Sequence, residues 1–398
     1  MSDAAISLAT SPQLDQDVRR WRNRFLAAGI AAMAIWGAGA VFSPLEFFRS
    51  YIWSYTFYLG LALGCLALGM LQYLTGGAWG VVIRRLCESA SRTLPLLALL
   101  FIPLAAGIPY LYLWANPKAV AADPILQQKH VYLNVPFFLA RAAIYFAGWL
   151  LLTGLLNRWS LQEDRASNPL ARKRLKYLSG PGLVFYCFSV TFMAVDWIIS
   201  LNPHWFSTIF GMIFIIGQVL SAMAFLITMV VLLSNYRPFS EVITRRHLHD
   251  LGKLLLAFVM VWAYFSFSQF LIIWAGNLAE EIPWYVRRLQ GGWQYVGLAL
   301  VFFHFALPFA LLLSRDLKRS APLLTGIAVF ILLMRYVDVY WLIAPDFNQG
   351  GFALSWMDVI GPLGLGFIWL AYFAWQLMKR PLLPLGDPEL EEALAHGR

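Results

Sequence analysis

The sequence predicts an all-α integral membrane protein with ten transmembrane helices. Three observations predict this class: the composition, ten long apolar runs, and the alternation of basic residues between them. Of the 398 residues, 60% are hydrophobic and only 13% are charged, whereas a soluble domain has about 25% charged residues. The net charge of +9 does not indicate nucleic-acid binding, because the basic residues lie in short loops between apolar runs.

The apolar runs are long enough to cross a bilayer, since a hydrocarbon core about 30 Å thick needs about 20 residues of helix. No cleavable signal peptide is evident at the polar start of the chain. We expect a short N-terminal arm (1–23), a membrane domain (24–378) and a short tail (379–398). Pro103 and Pro109 predict a kink in the third span. The ten predicted spans are 24–42, 51–73, 94–114, 133–156, 178–200, 206–233, 254–276, 294–314, 322–344 and 356–378.

Basic residues alternate between the loops on the two sides of the predicted spans. Of the 30 Lys and Arg, 23 fall on the side of the two termini and 5 on the other side, with Arg141 and Arg335 inside spans. The positive-inside rule therefore predicts cytoplasmic termini. Four tryptophans near the opposite ends of spans are expected to be interfacial anchors: Trp205, Trp284, Trp293 and Trp356.

Four charged residues lie well inside the apolar spans, away from their first and last turns: Arg141, Asp196, Arg335 and Asp338. A charge in hydrocarbon costs at least about 2.5–3.5 kcal/mol, so it usually has a partner and marks a proton, ion or substrate path. Their depths predict one polar cluster toward the extracytoplasmic face, with Gln269 nearby. Arg335 and Asp338 share a helix face, and a purely structural pair that locks helices together is the alternative for them.

The two buried carboxylates, Asp196 and Asp338, are the candidates for proton relay, because buried carboxylates can exchange protons near neutral pH. His204 lies beside the predicted cluster and could relay a proton, hydrogen-bond a quinone carbonyl, or only cap the sixth helix. His304 lies alone in mid-membrane, so a haem held by two histidines is not expected. We interpret it as a core or proton-path residue.

No metal or cluster is expected in this chain, since Cys65, Cys87 and Cys187 are far apart in the sequence and form no CxxC motif. A short internal match links the fifth and ninth spans. Asp196 precedes Pro203 by the same number of residues as Asp338 precedes Pro345, which a duplicated helical bundle would produce.

Two stretches resemble a known family. Residues 196–211, DWIISLNPHWFSTIFG, resemble a signature of the two large membrane subunits of alternative complex III, within the polysulfide-reductase (NrfD-like) membrane family. Residues 264–277, YFSFSQFLIIWAGN, followed by Glu280, Glu281 and Trp284, point to the smaller of the two, the ActF subunits. The resemblance covers most of the chain.

The resemblance implies two four-helix bundles, spans 2–5 (about 51–200) and spans 6–9 (about 206–344), flanked by spans 1 and 10. It implies a quinol-oxidising complex in a bacterial cytoplasmic membrane, part of a respiratory or photosynthetic chain. The expected partners are a larger homologous ten-helix subunit, an iron–sulfur subunit, multihaem cytochrome c subunits and lipid. This chain would provide a proton path, and the resemblance leaves open whether it binds quinone or menaquinone.

The residues are also compatible with two other functions. A stand-alone secondary transporter would use the buried carboxylate and arginine cluster for its substrate, although the cluster is displaced from the midplane where such sites usually lie. A structural anchor would use the charges only to hold helices together. Asp196, His204, Arg141, Gln269, His304, Arg335 and Asp338 are the candidate site residues under the proton-path or quinone reading.

Overall fold

The protein is all-helical over the residues that the structure, a computed structural model, describes: 10–166, 169–348, 350–387 and 389–390. Ten helices in these ranges are long and apolar enough to span a membrane, which confirms the predicted number. Parts of the predicted arms, 1–9 and 391–398, lie outside the described residues. The ten spans are Pro12–Phe42, Pro44–Thr75, Ala78–Ala106, Val135–Asp164, Pro169–Leu201, Phe210–Leu233, Arg245–Gly276, Trp293–Leu313, Ala321–Asp346 and Met357–Leu377.

The third span begins at Ala78, earlier than the predicted residue 94, and is divided by prolines. Its helical pieces each end within four residues before Pro95, Pro103 or Pro109, because a proline ring clashes with the carbonyl one turn earlier. The predicted kink is therefore confirmed as a series of breaks. The pieces are Ala78–Ser91, Leu94–Leu99 and Phe101–Ala106, with Ile108–Leu111 continuing beyond the span.

Short helices connect several spans. They are Pro117–Ala122 and Pro124–Lys129 between spans 3 and 4, Phe239–Val242 between spans 6 and 7, Pro283–Arg288 between spans 7 and 8, and Arg315–Arg319 between spans 8 and 9. Spans 5 and 9 both end in a 3₁₀ turn, Ile199–Leu201 and Ala344–Asp346.

The spans assemble into two bundles. Spans 2–5 contact one another, as do spans 6–9, and spans 1 and 10 pack together along span 2. This agrees with the two-bundle architecture that the resemblance implies. Arg84, Arg172 and Arg380 meet at one end of the molecule, which we call the arginine-rich end.

The two bundles meet chiefly along spans 2 and 6, where small residues allow close approach. A Cβ added at Gly64 would lie 2.8 Å from the Cβ of Ala222 and still closer to the carbonyl oxygen of Gln218. The Gln218 side chain also accepts a hydrogen bond of 2.9 Å from Tyr186 of span 5. Small residues are the usual means of bringing membrane helices into contact.

Replacing Gly64 with Ala should therefore lower the thermal stability of the detergent-solubilised protein. Overpacking at a close contact costs about 1–3 kcal/mol. Here the added methyl group could fit only if the backbone of span 6 at Gln218 moved away. Gly154→Ala in span 4 is the matched control, because a Cβ there would meet no neighbouring atom within 4 Å. Equal melting temperatures for the two variants would contradict the close approach of spans 2 and 6.

Candidate functional site

In the first bundle, Asp196 of span 5 forms a buried ion pair with Arg141 of span 4. Arg141 Nε donates to Asp196 Oδ2 at 2.8 Å, and the Tyr145 hydroxyl donates to the same oxygen at 2.6 Å. Arg141 and Tyr145 are four residues apart and thus share one face of their helix. Asp196 is 0% exposed, and its Oδ1 has no hydrogen-bond partner among the described residues. The carboxylate is therefore held by two donors on one oxygen and is unoccupied on the other.

The guanidinium of Arg141 is held from its other side by the segment before span 4. The Tyr132 ring lies 3.8 Å from Arg141 Cζ, and the Tyr132 carbonyl accepts from Nη1 at 3.0 Å. Cation–π contact and a carbonyl bond both stabilise the cation away from water. The Arg141 guanidinium is thus held between Tyr132 and Asp196.

In the second bundle, Asp338 pairs with Arg335, one turn earlier on span 9, as the sequence predicts. Trp262 of span 7 donates its indole N–H to Asp338 Oδ2 at 3.1 Å. Arg335 Nε donates to Ser221 Oγ of span 6 at 3.4 Å. The guanidinium fits there because position 217 is glycine: a Cβ at Gly217 would lie 2.6 Å from Arg335 Cζ.

His304 of span 8 joins this second set through Trp262, with ring centroids 4.3 Å apart. It is 0% exposed, and neither ring nitrogen has a hydrogen-bond partner within the described part of the chain. His304 lies in a π-helical stretch, Leu300–Ala306, that ends two residues before Pro308. The Pro308 ring would clash with the His304 carbonyl in α-helical geometry, and a π-helical turn relieves such a clash. π-bulges occur frequently at functional sites.

The four charges form two separate sets, not the single cluster predicted from their depths. No hydrogen bond or ion pair among the described residues joins the Arg141–Asp196 pair to the Arg335–Asp338 pair. Depth along a helix gives a height in the membrane but not the neighbouring helix, so residues at equal depth can belong to different bundles.

Gln269 and His204 lie outside both sets. Gln269 is buried and accepts a hydrogen bond of 3.2 Å from Ser207. The half-exposed His204 ring places Nε2 2.6 Å from Asp123 Oδ2, in the loop between spans 3 and 4. Among the described residues, His204 therefore contacts this loop and makes no hydrogen bond or ion pair with the buried charges.

Each acid-bearing span is clamped at its end by the loop between the second and third helices of its bundle. In the first bundle, the Tyr112 hydroxyl donates to the Trp197 carbonyl at 2.9 Å, and Lys129 Nζ donates to the Pro203 carbonyl at 2.6 Å. Burial lowers the pKa of Lys129 below its usual value. Donors at these carbonyls satisfy groups that a helix end leaves unpaired.

In the second bundle, Arg288 makes the corresponding contacts at the end of span 9. It is 0% exposed and donates to the carbonyls of Trp341 and Leu342 at 3.3 and 2.7 Å and to Asp346 Oδ2 at 3.0 Å. Burial lowers the pKa of Arg288, and the Asp346 carboxylate offsets part of that effect. A cation at a helix C-terminus also stabilises the helix dipole.

From the sequence alone, Arg288 is one of the few basic residues in the loops on its side of the membrane, and this clamp is not predicted. The available signal was a basic pair, Arg287 and Arg288, on the side that is otherwise poor in basic residues. Trp284 lies on the Arg288 guanidinium at 3.5 Å and is buried, so it is not the interfacial anchor that we predicted. The same correction applies to Trp205 and Trp293, whereas Trp356 is half-exposed.

A second buried charge network lies at the arginine-rich end of the first bundle. Arg84 and Arg85, expected in a loop, are in the helix Ala78–Ser91, and each is 2% exposed. The short tail contributes Asp387, which is paired with Arg84, to this network. The other acidic members are Glu88, Glu163 and Asp164. The network joins spans 3 and 4 to the tail.

Chemically, the two acid sites can each hold a proton or a charge away from water. No group of three His, Cys, Asp or Glu side chains that could hold a metal occurs in the described ranges. Comparison with known proteins gives no relative: no family model matches the chain, and no curated protein matches it significantly.

Replacing one partner of the Arg335–Asp338 pair should destabilise the protein more than replacing both. Asp338→Leu or Arg335→Met leaves one buried charge unpaired, which costs about 3–5 kcal/mol, whereas an apolar pair of similar volume is often neutral. Thermal unfolding of the two single variants and the double variant measures this. Arg315→Met, at an exposed position, should be silent. Additive losses in the double variant would contradict the pairing.

Asp387→Ala should release the tail from the first bundle. Losing a hydrogen bond to a charged group costs about 1.5–3 kcal/mol, so we expect faster hydrogen exchange across residues 380–387 and a lower melting temperature. Asp316→Ala, which removes an exposed carboxylate, is the control. An unchanged rate of hydrogen exchange across the tail of the Asp387→Ala variant would show that packing of the tail's leucines is enough to keep the tail in place.

Proposed function

We propose that this chain is a membrane subunit of a quinol-oxidising alternative complex III, of the ActF type, and that it provides a proton path. The observation that carries the proton path is the arrangement of the two buried carboxylates. Each bundle holds one aspartate, Asp196 or Asp338, bonded to an arginine and to an aromatic donor. A charge so placed in a membrane helix is a functional-site candidate by default.

In this proposal the chain's own residues hold and pass protons. Asp196 accepts a proton on Oδ1, the oxygen left without a partner in the described structure, while Arg141 and Tyr145 keep Oδ2 in place. Arg335 and Trp262 do the same for Asp338. His304, with both nitrogens unpartnered in the described ranges, supplies the next acceptor in the second bundle. Proton transfer needs an acid and a base within hydrogen-bond reach of each other or one water apart.

The electron-transfer chemistry is assigned to other subunits. The proposed partners are the larger homologous ten-helix subunit, an iron–sulfur subunit and multihaem cytochrome c subunits, which would carry electrons from quinol to cytochrome c or a similar acceptor. No cofactor is assigned to this chain, and quinone or menaquinone binding is left as an open part of the proposal. The proposed location is a bacterial cytoplasmic membrane with cytoplasmic termini, which the bias of basic residues supports.

A pull-down of the native complex tests the subunit assignment. The chain carries a tag, is extracted in mild detergent, and its partners are identified by mass spectrometry. We expect a second ten-span protein, an iron–sulfur protein and multihaem cytochromes. Recovery of the chain alone, together with substrate transport after its reconstitution into vesicles, would replace the proposal with the secondary transporter.

Asp196→Asn and Asp338→Asn test the proton path. Each should lower quinol turnover or coupled proton release, by roughly 100-fold if the carboxylate is an obligatory transfer group, while the complex still assembles. Asp316→Asn is the matched control, because this carboxylate is exposed. Full turnover and proton release in both buried variants would sink the proton path. Full activity in a double Arg335→Met and Asp338→Leu variant would favour the structural anchor.

A further inference from the structure

A group of basic side chains at the arginine-rich end of the second bundle lacks an anionic partner. Lys318 and Arg319 close the short helix between spans 8 and 9. Lys318 is only 7% exposed, yet no carboxylate or hydrogen-bond acceptor contacts its ammonium in the described ranges. Arg319 Nε is buried and likewise has no partner among the described residues. The stem of Lys318 is thus covered by protein, while its ammonium and the Arg319 guanidinium are left without a counter-charge among the described residues.

Close helix packing explains how the cations come together. Gly252 of span 7 lies against the stem of Lys318, and a Cβ at Gly252 would be 2.8 Å from Lys318 Cγ. This places Lys318 beside Lys253, whose own partner is Asp250 at 3.0 Å. Burial lowers the pKa of Lys318, and the charge of Lys253 lowers it further. The site therefore has an excess of positive charge.

The start of span 9 adds to this positive field. Its α-helix, Ala321–Ile343, has 23 residues and begins directly after Arg319 and Ser320. Ser320 makes no capping hydrogen bond through its side chain. The N-terminus of a long helix carries a partial positive charge and binds anions.

Exposed apolar side chains flank the short helix that carries Lys318 and Arg319. Leu313, at the end of span 8, is 58% exposed, and Leu323, in the first turn of span 9, is 56% exposed. The unpaired cations thus lie at the rim of an apolar belt, where acyl chains would pack on the leucines. An anion with attached acyl chains matches both the charge and this rim.

We propose that Lys318, Arg319 and the N-terminus of span 9 bind the phosphate of an anionic phospholipid. Lys253 contributes to the same positive field. Basic pockets between membrane helices commonly bind anionic headgroups, at about 1 kcal/mol per Lys or Arg. The site is distinct from both buried aspartates, so it stands or falls independently of the proposed proton path.

Native mass spectrometry of the delipidated full-length chain tests the site. The protein is titrated with phosphatidylglycerol and with phosphatidylcholine of the same acyl chains, and the dissociation constant of the first bound lipid is measured. We expect tighter binding of phosphatidylglycerol, weakened about fivefold by Lys318→Gln. Lys173→Gln removes an exposed cation from the same end of the molecule and should leave the constant unchanged.

Three outcomes would overturn the site. These are equal binding of the two lipids, an equal loss in Lys173→Gln and Lys318→Gln, and full displacement of the lipid by inorganic phosphate at equal concentration. The last would show an anion site without lipid specificity. If Lys318→Gln fails to fold, Arg319→Gln replaces it, and the same loss of phosphatidylglycerol binding is expected. Unchanged phosphatidylglycerol binding in Arg319→Gln would overturn the site.

Discussion

The high cost of an unpaired charge in hydrocarbon is the constraint on which the rest of this structure depends. Asp196 and Asp338 can lie in the membrane only because arginines and aromatic donors compensate them. Several less obvious features follow from that requirement. Gly217 makes room for the Arg335 guanidinium, and Tyr132 covers Arg141 on the side away from the carboxylate. The residue types at several positions on different helices and loops are thus explained by the need to accommodate Asp196 and Asp338 with their arginines.

The two acid sites meet the same requirement differently. In the first bundle the arginine and the aspartate are on different helices, so the ion pair also fixes spans 4 and 5 relative to each other. In the second, both charges are on one turn of span 9, and the contacts to spans 6 and 7 are made by neutral Ser221 and Trp262. Both acids are therefore paired with an arginine, but only the first ion pair ties two spans together through charge.

The sequence predicts features that depend on one helix at a time. The ten spans follow from length and hydropathy, the breaks in span 3 from prolines, and the Arg335–Asp338 pair from helical spacing. It fails where the outcome depends on which helices are neighbours. The four charged residues lie at similar depths, which predicts one cluster, but they belong to two different bundles. Arg84 and Arg85 resemble loop residues in a hydropathy profile, because their burial depends on carboxylates from span 4 and the tail.

The clamps at the ends of spans 5 and 9 come from corresponding loops, and each bundle contains four spans. An even number of crossings returns the chain to the side from which it started. A gene duplication of one bundle would therefore insert the second copy in the same orientation, with its basic loops already on the correct side. Such a fusion does not require the second copy to reverse the distribution of its basic residues between the two sides. It also does not require an ancestral protein that inserted into the membrane in both orientations. The price is that the two acids face the same side of the membrane, so the two halves cannot serve as mirror-image gates.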